Sequence, residues 1–258
     1  MKIRKMFAIL ILLTAIGVMG YAGTRLYKAD QVYRKGNAVY EDLTDRIREK
    51  AEHPQETAAA LPEKQKPKTY IPAFNTDFKA LKKVNEDSAA WLYSPGTMIN
   101  YPVMKANDYN YYLKHLPDGT WNANGSLFID YNNAPDFSEP LTVIYGHHMK
   151  SEAMFGSLKG YKAQSYYKKH PFMYLYTQKR NYRIDLMYGA VIAAGQWSRQ
   201  GFMYSGNVES LVAYAAENTT FKSDVSYKIG DRLVALSTCS YEYNEARYVV
   251  IGVLRNEY

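Results

Sequence analysis

"LVALSTCSYEYNEARYVVIGVLRN", residues 233–256, reads as two apolar runs around a polar stretch. "RLVALSTC" (232–239) and "RYVVIGVL" (247–254) are rich in Val, Leu and Ile, which fit a pleated, half-buried surface better than a helix. Paired as an antiparallel hairpin with "SYEYNEA" as the loop, they would set Cys239 opposite Arg247. Their Cβ atoms would then lie about 5 Å apart on one face. Cys239 is the only cysteine in the 258 residues.

Other runs of the same kind precede the hairpin. "AAWLYSPGTMINYPVMK" reads as two strands around Pro95-Gly96, with Pro102 restricting the second to an edge or a bulge. "GSLFIDY", "LTVIYGHHM", "FMYLYT" and "YRIDLMYGAVIAA" are four more. The total is about eight short strands, a pattern that suggests a closed or nearly closed β-barrel. Helical pieces interrupt it: "DFKALKKVN", "DYNYYLKHL", most of 152–170, and "NVESLVAYAAEN" with Asn207 as its cap.

The N-terminal quarter has a different texture. Lys2, Arg4 and Lys5 precede an uncharged run, residues 6–23. That run is a signal peptide or a membrane anchor. The helical stem that follows favours an uncleaved anchor, and the basic flank puts Met1 in the cytoplasm. Leu26, Val32, Val39, Leu43 and Ile47 give residues 24–52 one apolar face, interrupted by Gly36. "HPQETAAALPEKQKPKTYIP" then reads as a linker giving the domain reach. The expected division is an anchor over 1–23, a stem and linker over 24–73, and a catalytic domain over 74–258.

Charge narrows the partners. The net charge is +7, but residues 1–69 hold 13 Lys and Arg against 8 Asp and Glu, and the rest of the chain holds 19 against 17. The folded part therefore lacks the basic stripe that nucleic acid requires.

A single cysteine in an exported domain has no internal disulfide partner. It is either a reactive thiol or a small buried hydrophobe. As a nucleophile it needs help, since a free thiol with a pKa near 8.5 is mostly protonated at neutral pH. His53 falls in the linker, and His115 and His170 follow lysines at helix ends, where a solvated imidazole is ordinary. His147 and His148 end an apolar strand just after Gly146 and are either a surface pair at a turn or the rim of a site. Arg247 is either a surface partner for Glu242 or Glu245, or a fixed cation able to hold a carbonyl or an oxyanion.

"LSTC" ending a strand, Arg247 on the next strand and "YGHHM" ending an earlier one resemble the sortases, membrane-anchored cysteine transpeptidases of Gram-positive bacteria. "DFKALKKVNEDSAAWLYSPGTMINYPVMK" and "VIYGHHMKSEAMFGSLKGY" resemble class B in particular. The likeness runs from about residue 74 to 256.

The resemblance implies a sortase-type barrel with an N-terminal helical appendage and a helix at 207–218. It implies Cys239 as nucleophile, His147 as general acid/base, and Arg247 as the group that holds substrate carbonyls and the oxyanion. Ser237 matches a position touching the peptide, and His148 a non-catalytic one. Ser240 departs from relatives with an acidic residue there. The implied reaction cleaves an Asn-Pro-x-Thr-x type sorting signal after Thr and passes the protein to a peptidoglycan amine. No metal or other cofactor is implied. The alternatives are a cell-wall cysteine endopeptidase and a non-catalytic surface module.

Overall fold

The computed structural model describes residues 2–49, 75–198, 201–239 and 246–257. The hairpin around Cys239 pairs in the register read from the sequence. β9 (Leu233–Cys239) and β10 (Ala246–Glu257) run antiparallel, with Arg247 opposite Cys239 and Tyr248 opposite Thr238. Six further strands join them: β3 (Ser88–Tyr93), β4 (Asn100–Lys105), β5 (Leu127–Ile129), β6 (Leu141–Tyr145), β7 (Phe172–Thr177) and β8 (Asn181–Ala193). They close into an eight-stranded barrel in the order β10-β8-β7-β3-β4-β5-β6-β9. Two of its pairings are parallel, β4 with β5 and β6 with β9.

Alternation along the strands sends side chains to opposite faces. Ala90, Val103, Leu127, Ile144, Leu175, Ile184, Leu236 and Val250, one from each strand, belong to a single buried cluster that fills the interior. Their neighbours Val143, Tyr145, Ala235, Val249 and Ile251 belong to a second cluster on the outside of the wall. That outer cluster is covered by Tyr112, by α4 (Ala194–Ser198) through Trp197, by Phe202 and Met203, and by α5 (Val208–Glu217) through Val208, Leu211 and Ala215. Both faces of this wall are thus dry, so β6, "LTVIY", is apolar nearly throughout and buried at every position.

The N-terminal elements differ from the expected stalk. α1 (Lys2–Ile47) is one continuous helix of 46 residues. Gly36 does not break it. A Cβ at Gly36 would collide with the Asn124 amide and come within 3.0 Å of Asn122 Oδ1, so glycine lets the 122–125 loop press onto the helix. Asn122 Nδ2 donates to the Val32 carbonyl (2.8 Å) and Tyr40 Oη to the Gly125 carbonyl (2.5 Å). Leu43 and Ile47 pack with Trp91, Tyr176 and the α2 helix (Phe78–Val84) through Phe78 and Leu81.

At the end of α1, β1 (Arg48–Glu49) pairs with β2 (Asn75–Thr76). The expected linker lies outside the described residues, but its two ends are held side by side.

Three local expectations need correction. Pro102 is on neither an edge nor a bulge: it pairs with Trp91 on β3, and the β4–β5 ladder starts one residue later at Val103, so its missing N–H falls outside that ladder. Asn207 precedes α5, but its amide donates to the Gly201 carbonyl (3.2 Å) and makes no cap bond. "DYNYYLKHL" shortens to one 3-10 turn, Tyr111–Leu113.

Candidate active site

β6 ends where the parallel ladder with β9 ends, with Tyr145 against Ser237 and the Gly146 N–H donating to the Ser237 carbonyl (3.2 Å). Gly146 permits this approach, since a Cβ there would lie 2.5 Å from Leu127 Cδ2 and 2.7 Å from the Phe155 ring. His147 follows at once. Its Nε2 lies 2.6 Å from the Leu113 carbonyl. A carbonyl only accepts, so Nε2 carries the hydrogen, and Nδ1 is the nitrogen free to take up or release a proton.

His147, Arg247 and Ser237 line one cavity of about 400 Å³, together with Tyr109, Leu113, Tyr145, Trp197 and Met203. The groove opens on the outer wall of the barrel, because side chains fill the interior. Cys239 stands opposite Arg247 through backbone pairing. Its side chain, Ser240 and the 240–245 loop with Glu242 and Glu245 lie outside the described residues.

The Arg247 guanidinium stands 5.8 Å from the Tyr145 ring centre, an arrangement that favours a cation. Arg247 Nε and Ser237 Oγ are buried with no hydrogen-bond partner among the described residues. Buried donors are nearly always paired. With Thr238 Oγ1, which is also buried and unpartnered among the described residues, three orphans on one groove make a site ready for an acceptor.

Beneath Arg247 runs a network that the sequence reading missed. Asp130 is buried and accepts from Tyr145 Oη (2.9 Å) and Tyr109 Oη (3.0 Å). Trp197 Nε1 donates to Tyr145 Oη (3.1 Å). Burial first, and the Asp130 charge next, push both phenols well above their usual pKa, so Tyr145 and Tyr109 stay neutral donors. The only local signals were an Asp at a strand end in "FIDY" and a Tyr two residues before the histidine.

His115 and His170 are less solvated than expected. His115 stacks on Tyr111 at 4.0 Å, and His170 Nδ1 lies 2.9 Å from the Pro95 carbonyl, tying down the β3–β4 turn. His148 is half-buried and bridges to Met154. A larger cavity, about 530 Å³, lies across the barrel and has no His or Cys in its lining. Two of its cations are already engaged: Lys105 Nζ donates to the Tyr131 and Asn133 carbonyls (2.8 Å each), and Arg232 to the Phe137 carbonyl (3.0 Å).

The family model described as the sortase domain matches residues 92–255. The chain belongs to the sortase family. Sortase B of Listeria monocytogenes is 30% identical over 183 residues, covering 69% of this chain and 74% of the relative. The crystal structure of Bacillus anthracis sortase B in complex with AAEK1 superposes with a TM-score of 0.68 at 25% identity, over 88% of this chain and 99% of that one. A Staphylococcus aureus sortase B–substrate complex gives 0.63 at 25% identity, over 69% and 84%. The protein is a class B sortase, an enzyme of the cysteine transpeptidase type, and its barrel is the sortase barrel. The first helix of this sortase is long and apolar enough to cross a membrane.

Proposed function

We propose that Cys239, His147 and Arg247 carry the transpeptidation and that Ser237 and Arg247 bind the peptide. The substrate is an exported protein with a C-terminal sorting signal of the Asn-Pro-x-Thr-x type. The Cys239 thiol passes its proton to His147 Nδ1, and the sulfur attacks the threonine carbonyl and forms a C–S bond. The charge developing on the carbonyl oxygen is met by the Arg247 fork. His147 gives the Nδ1 proton to the departing amine as the C–N bond breaks. A peptidoglycan amine then attacks the thioester, His147 takes its proton and returns it to the sulfur, and the C–S bond breaks to release the thiol as the new amide forms.

The observation that carries this reading is that Arg247 Nε and Ser237 Oγ, buried and without a partner among the described residues, lie on the groove His147 lines. Extending the β6–β9 register by two residues would also bring position 147 against position 239. In this reading residues 6–23 anchor the enzyme with Met1 in the cytoplasm, residues 24–73 form the stem and connecting segment, and the catalytic domain, 74–258, acts outside the cell. Anchoring confines enzyme and translocated substrate to one surface, which raises their effective concentration.

The test is product analysis with a sorting peptide, with and without an amine. The expected result is an amide product whose share rises with amine concentration, and none from Cys239→Ala. Free acid alone at every amine concentration would instead make the enzyme an endopeptidase.

A further inference from the structure

We propose that Trp121, at the anchor-facing end of the 111–123 loop, is seated among the lipid headgroups, with an anionic lipid surface as the partner. The proposal depends on the anchor reading of residues 6–23.

The docking of α1 supplies the geometry. Going back along the loop, Gly125 meets Tyr40, Asn124 Nδ2 meets Asn37 Oδ1 (3.3 Å), and Asn122 meets the Val32 carbonyl. The 122–125 segment therefore descends the helix toward the anchor and Trp121 is the next residue, while the turn before it is tied to the end of α2, the Pro117 carbonyl accepting from Asn85 Nδ2 (2.9 Å). Val32 lies nine residues past Gly23, about 14 Å of helix. The headgroup layer occupies roughly 5–8 Å of that distance, and the surface potential decays over about 8–10 Å more.

The chemistry fits that depth. Trp121 is 60% exposed, whereas Trp91 and Trp197, the other two tryptophans, are 0% and 1% exposed. Tryptophan is enriched at membrane interfaces because its ring is apolar and its N–H is polar. Arg25 and Lys28 on the helix and Lys114 on the loop are exposed cations at the same end; the carboxylates there are Asp118 on the loop and Asp30, which pairs with Arg34 (2.7 Å). The loop also carries the Leu113 carbonyl that holds His147, so seating it on lipid would set the groove near the bilayer surface.

The three tryptophans make the test direct. The full chain is reconstituted into phosphatidylglycerol-containing vesicles whose acyl chains carry bromine near the headgroup. The expected result is loss of at least half of the Trp121 emission, and no such loss in Trp121→Phe, where the buried Trp91 and Trp197 remain. Flotation with the vesicles is scored in parallel. Protein that floats while Trp121 stays unquenched by lipid and open to aqueous iodide overturns this proposal and leaves the anchor standing. Protein that does not float overturns both. Shielding of Trp121 by a soluble glycan fragment, with no lipid quenching, also overturns it and points to the wall polymer.

Discussion

Arg247 and Tyr145 show how single residues divide the work at this site. Arg247 offers a donor with no partner among the described residues, over a ring that favours its charge. Arg247→Lys keeps the charge but loses the planar fork, so kcat/KM is expected to fall about 10²-fold, the size of losing one oxyanion donor. Thermal melting should move little, and a steady-state assay beside a melt separates the two. Tyr145→Phe should behave in the opposite way. It keeps the ring under Arg247 but takes a donor from buried Asp130 and leaves the buried Trp197 N–H unpaired. The unpaired N–H alone costs about 1–3 kcal/mol. At about 2–4 °C per kcal/mol for a domain of this size, the melting temperature should fall by several degrees.

At the scale of elements, the contact that matters most is α1 against the barrel. Tyr40, Leu43 and Ile47 are buried along it, each contributing about 1.5–3 kcal/mol as an upper range. Gly36 sets how closely the helix approaches. Gly36→Leu is expected to push the Asn124 amide away and loosen the stem without unfolding the barrel. Hydrogen exchange should show faster exchange over residues 32–47 and unchanged protection in β9 and β10. Equal protection of α1 in the variant would mean that the loop yields instead of the helix. The stem was legible as a helix because its apolar face repeats locally. That it docks was not, because the partners of Val32 and Tyr40 lie some 85–90 residues away.

The whole molecule is unusually rich in tyrosine, 26 of 258 residues, and several phenols are deeply buried. Burial, the largest cause in each case, raises the pKa of Tyr40, Tyr145, Tyr161 and Tyr248 above the unfolded value of 10.0. A raised phenol favours the neutral form in the folded state. The stability it contributes is therefore complete below pH 10 and is lost as the pH climbs above it. Alkaline titration should show these phenolates appearing in one cooperative step, together with loss of circular dichroism. Gradual ionisation of all the phenols with the fold intact would contradict this.

The sequence by itself determined the strands, the antiparallel β9–β10 register and the apolar N-terminal span, because each is written in neighbouring residues: alternation, a short loop, an uncharged run. It also carried the order His147, Cys239, Arg247 and the likeness to sortases. Only the tertiary structure decided which wall the groove opens on, that Asp130 sits beneath Arg247 through Tyr145, and that the stem lies on the barrel. Parallel pairing such as β6 with β9 joins segments some 90 residues apart with no turn between them to announce it. A side chain's burial likewise depends on what folds over it, and local periodicity does not hold that information.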